Sequence, residues 1–168
     1  MKQLKVFNWR ISLPIFGLAL LAACATPPDY PIEPHIEFVS LSKDTLVRGI
    51  FNDTTFITFS FTDGDGDIGS PDTLDLFVYD TRTGLLANQY TVPEVPELGA
   101  NNGIKGEITV QVPSSCCLFD PDLLLDPCKD EHPSLLYDPI VYEIFLFDKA
   151  GHKSNVIQTP PVYIRCFD

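Results

Sequence analysis

The sequence is short of the residues from which common catalytic signatures are built. Its 168 residues hold three histidines, one tryptophan and one methionine. His35, His132 and His152 are scattered and fall in no metal-ligand or triad spacing. There is no Gly-x-Ser-x-Gly elbow, no His-Glu-x-x-His and no phosphate-cradling glycine loop. Positive charge is scarce as well. Eleven Lys and Arg stand against 23 Asp and Glu, a net charge of −12. That balance excludes binding to nucleic acid or anionic lipid by charge. Beyond residue 23 no stretch keeps a 3.6-residue apolar period, which argues against a helical fold.

What is present begins with an address. Lys2, Lys5 and Arg10 precede an apolar run over residues 11–23, too short and wrongly flanked for a spanning helix. The run ends in Leu21-Ala22-Ala23-Cys24, which resembles the lipobox of bacterial lipoproteins. The resemblance implies that residues 1–23 are a signal peptide removed before Cys24, and that Cys24 is acylated. Each buried CH₂ contributes about 0.8 kcal/mol, so several acyl chains anchor stably. Ala25 stands where an Asp would hold such a protein at the inner membrane, so the resemblance further implies the outer membrane. Cleavage removes Trp9, Met1, three positive charges and no acid, moving the net charge from −12 to −15. The remaining 145 residues suit one domain with a proper core.

Residues 24–34 carry Pro27, Pro28, Pro31 and Pro34 and read as a semi-rigid extended tether. From His35 the apolar period is two. Ile36 and Phe38, then Ile57, Phe59 and Phe61, then Leu74, Leu76 and Val78 alternate with their neighbours. So do Ile108, Val110 and Val112, and Tyr142, Ile144 and Leu146. Pro160-Pro161 breaks the last run, as suits an edge strand or a switch between sheets. About seven short strands joined by turns predict an all-β fold over residues 35–168, a single Ig-like antiparallel β-sandwich.

The most distinctive stretch is Asp63-Gly64-Asp65-Gly66-Asp67-Ile68-Gly69, at the end of the apolar run from Phe56. Carboxylates at alternate positions repel one another and call for a cation, water or backbone N–H groups. Calcium takes six to eight oxygens, and Gly64 and Gly66 let a backbone wrap around it. The match to an EF-hand fails, since Ile68 stands at the sixth position and Leu74 at the twelfth. Asp72 and Asp75 follow closely and could complete a different calcium loop, and a plain Asp-Gly turn held by Asx hydrogen bonds is the simpler alternative. A second corner, Asp148-Lys149-Ala150-Gly151-His152-Lys153-Ser154-Asn155, resembles a hairpin near the C-terminus of many bacterial Ig-like domains. If both corners lie at one end of the sandwich, Asp148 joins the ligand set Asp63, Asp65, Asp67 and Asp72. The two corners and the lipobox together make the chain resemble small Bacteroidetes-type lipoproteins with an Ig-like domain.

Residues 113–138 form an insertion holding Cys116, Cys117 and Cys128, and Cys166 lies near the C-terminus. In an exported chain four cysteines predict two disulfides, with three possible pairings. The favoured set joins one of Cys116 and Cys117 to Cys128 and the other to Cys166, ahead of a strained Cys116–Cys117 bond or a zinc site. Thr45, Thr54 and Thr73 each follow an Asp, as at the O-glycosylation sites of Bacteroidetes-type exported proteins. The resulting expectation is a non-catalytic, lipid-anchored module of the outer membrane, with a calcium-ordered aspartate loop, that meets a membrane-protein partner. A glycan- or peptide-binding adhesive module is the alternative, with Tyr90, Tyr137 and Tyr163 as its contact residues. A hydrolase built on the aspartates ranks last.

Overall fold

The structure is a computed structural model and describes residues 29–167 apart from 52, 96–102 and 133. The signal segment and Cys24 lie outside the described residues. The remainder is an all-β sandwich whose strands are mostly antiparallel.

Strand β1 (His35–Leu41) pairs with β3 (Thr54–Asp63), and β3 pairs with β6 (Ile104–Pro113), to make the first sheet in the order β1-β3-β6. The second sheet runs in the order β5-β4-β8-β9. It is built from β4 (Leu76–Asp80), β5 (Leu85–Tyr90), β8 (Tyr142–Leu146) and β9 (Ile157–Gln158). A third, smaller sheet sets β10 (Val162–Arg165) between β2 (Thr45–Val47) and β7 (Tyr137–Ile140).

The period-two pattern decides what lies inside. Thr55, Ile57, Phe59 and Phe61 of β3 are buried, and Leu76 and Val78 of β4 and Tyr142, Ile144 and Leu146 of β8 face them in one cluster. Leu46, Ile140, Val162 and Ile164 carry that cluster into the third sheet. On β6 the half-buried Gly106 leaves room for the Phe61 ring, which a Cβ would meet at 2.9 Å. Residues Pro160 and Pro161 mark the switch between sheets: β9 before them pairs with β8, and β10 after them pairs with β7 and β2.

Three expectations need correction. The strands number ten segments among the described residues rather than about seven, because the last run divides and β7 arises where the insertion was expected to end. The pairing of β10 with β2 is parallel, a consequence of a long excursion between them rather than a hairpin. Leu74 is exposed and Asp75 buried, so the alternation starts only at Leu76, where β4 begins.

The insertion is held by covalent and polar ties. Cys116 is bonded to Cys128, and Cys117 to Cys166 just past β10. Arg48 is buried and donates to the carbonyls of Cys166 (3.0 Å), Lys129 (2.9 Å) and Asp130. Asp138, at first sight one more acid of the insertion, is buried in β7 and pairs with Arg82.

Candidate metal centre

Strand β3 alternates faithfully to its last residue, so Asp63 occupies an inward position and is fully buried. The chain then turns back. The Asp67 N–H donates to Asp63 Oδ2 at 2.9 Å, and Gly66 takes a left-handed φ of 75° that most side chains would resist. Ile68, 1% exposed, re-enters the core and pins the far side of the turn. The loop is thus held between an inward aspartate and an inward isoleucine.

The second corner closes on the first. The Asp148 carboxylate is buried and accepts from the His152 N–H at 2.7 Å, and it meets the His152 ring Nδ1 at 2.8 Å. The two turns are joined directly, since Lys149 N–H donates to Asp67 O (3.3 Å) and Ala150 N–H to Asp67 Oδ2 (3.1 Å). Oxygens of Asp63, Asp65, Asp67 and Asp148 all come within 4.8 Å of one another. Residues 85 positions apart in sequence, Asp63 and Asp148, therefore share one corner.

The electrostatics of that corner are unfavourable without a cation. Burial, then the charges of Asp65, Asp67 and Asp148, push Asp63 up to about 6. Asp67 is raised by burial first and then by Asp148 and Asp65. His152 is raised by its hydrogen bond to Asp148. Asp63 Oδ1 and Asp67 Oδ1 are buried with no hydrogen-bond partner. A buried acceptor left unpaired typically costs about 1–3 kcal/mol, more when charged. A fully buried aspartate with one oxygen turned into a four-carboxylate cluster is what a bound cation would relieve. Carboxylate oxygens suit hard cations.

Not every residue expected in the site is there. Asp72 is exposed and outside the cluster. Gly69 (φ 91°) turns the chain away, and Ser70 N–H is tied to Val92 O. Asp75 is buried, yet its Oδ1 accepts from Val92 N–H at 2.7 Å, which gives it a loop-holding role. His152, which sequence spacing left as a surface residue, is hydrogen-bonded to Asp148 at the site. Only its position four residues after Asp148 pointed to that.

Thr45 and Thr73 are exposed and Thr54 is half-buried. Tyr137 and Tyr163 meet edge to face at 6.5 Å on the outer side of the third sheet, with Phe167 at 5.7 Å from Tyr137. Tyr90 is elsewhere, half-buried, its hydroxyl donating to Gln111 O. No protein-family model, curated protein or solved structure matches the chain.

Proposed function

We propose that this chain is a non-catalytic, lipid-anchored outer-membrane module whose aspartate corner binds calcium, and that it works as an accessory subunit of a membrane-protein partner. The observation that carries the calcium reading is the fully buried Asp63, which has an unpaired Oδ1 and clusters with Asp65, Asp67 and Asp148. The cluster joins two loops at one end of the sandwich, which suits an ion that orders structure. The anchor rests on the lipobox at Cys24 and the accessory role on the resemblance to Bacteroidetes-type lipoproteins. A glycan- or peptide-binding role draws support from the exposed Tyr137 and Tyr163 pair.

Thermal unfolding followed by circular dichroism, with calcium and after chelation, tests the site. Calcium at a hundred times its dissociation constant is expected to add about 2.7 kcal/mol, a shift of several degrees for a domain of this size. Equal melting in both conditions would remove the ion from the proposal. Affinity purification from a detergent extract of the native host tests the accessory role, and recovery of the chain alone would count against it.

A further inference from the structure

The acidic corner lies directly under the start of the domain. Residues 30–34 cross it before β1 begins. Pro34 is buried, and Ile36 pairs with Phe61 of β3, two residues before Asp63. Gly64, between Asp63 and Asp65, has the carbonyls of Tyr30 and Pro31 where its side chain would be. A Cβ there would stand 2.6 Å from Pro31 O. The second corner grips the same segment. Asn155 Oδ1 accepts from Ile36 N–H at 2.7 Å, and Asn155 Nδ2 donates to Ile36 O at 2.9 Å. Glu33 lies near enough for its charge to act on His152. Each corner therefore touches the entering chain, and the corners are joined by the hydrogen bonds of Lys149 and Ala150 to Asp67 and by the shared carboxylates.

From this geometry we infer that cation binding at Asp63, Asp65, Asp67 and Asp148 locks residues 30–36 onto the domain, and so sets how the sandwich stands on its tether. The inference rests on the calcium reading above. Without the ion, four carboxylates push the two loops apart, and the contacts at Gly64 and Asn155 loosen together. With it, the loops form one rigid seat for the tether. The six residue steps from Cys24 to Tyr30 span at most about 22 Å whatever their conformation, at roughly 3.6 Å per residue. A domain locked at residue 30 would then keep its acidic corner near the anchor and present the disulfide-bonded insertion at the far end of β3.

Hydrogen exchange on the full chain in detergent, with calcium or chelator, tests the lock. Calcium is expected to slow exchange in the peptide covering residues 29–36 by roughly tenfold or more. Asn155→Ala is the selective variant, because it removes both hydrogen bonds to Ile36 and leaves the four carboxylates in place. It should abolish the protection and keep the calcium-induced rise in melting temperature. A normal melting shift with no added protection of residues 29–36 in the unmodified chain would overturn the lock and leave the metal centre standing. No melting shift would overturn both.

Discussion

Replacing Asp63 with Asn is expected to make the metal-free domain more stable at neutral pH and to abolish its response to calcium. Asp63 is held at about 6 in the folded chain, against 3.8 as its ordinary value. The folded state therefore takes up its proton more readily than the unfolded state does. Stability of the metal-free chain should fall as pH rises from about 4 to 6 and stay low above that. Asp67 and Asp75, both raised first by burial, act in the same direction. His152, raised by Asp148, adds a further loss as pH climbs above its ordinary 6.5. Asp53 and Asp126 are shifted down, so their contribution falls below pH 3.8 and leaves this window clear.

Calcium reverses the slope, because the ion is bound by ionised carboxylates and is released as they protonate. Asparagine keeps an oxygen to accept from Asp67 N–H and removes one of four clustered charges. The variant should therefore lose most of the fall between pH 4 and 6. It should also lose the stabilisation by calcium, about 4 kcal/mol at a thousand times the dissociation constant. Urea unfolding at several pH values, with calcium or chelator, measures all of this. A metal-free curve that rises between pH 4 and 6 would refute the account of Asp63.

The other large effect is expected at the opposite end of the sandwich. Arg82, in the β4–β5 turn, donates from Nε to Asp80 Oδ1 at 3.0 Å and from Nη2 to Asp80 Oδ2 at 2.6 Å. Its Nη1 reaches Asp138 Oδ2 at 2.6 Å. Asp80 and Asp138 are each only 8% exposed. Arg82→Ala leaves two buried carboxylates without their cation, a loss of about 3–5 kcal/mol. Asp138 also accepts from Leu118 N–H, so the damage should spread to the insertion. Arg82→Lys keeps the charge but lacks the forked geometry that serves Asp80, and should fall between the two. Equilibrium denaturation of the three chains measures the order. A loss below about 1 kcal/mol for alanine would mean that the pair behaves as an ordinary surface ion pair.

How far the fold could be read in advance follows from the range of each signal. Alternation of Ile57, Phe59 and Phe61 or of Tyr142, Ile144 and Leu146 is local, and burial of one sheet face requires it. The break at Pro160 and Pro161 is local too, because proline cannot donate to a ladder. Strand β7 was missed because Tyr137-Asp138-Pro139-Ile140 has a charge and a proline in four residues. Asp138 sits inside only because Arg82, 56 positions earlier, meets it there. Asp72 was expected in the metal site from its nearness in sequence, and the turn at Gly69 carries it away.

The sequence by itself determined the all-β architecture, the acidic surface and the three aspartates of the first loop, since these depend on residue type and on spacing of a few positions. Tertiary structure alone decided that Asp148 completes that loop, that His152 backs it and that Tyr30 and Pro31 lie across Gly64. Each of those is a meeting of distant segments, and only the packing of the two sheets places the ends of β3 and β8 and the start of β1 at one corner.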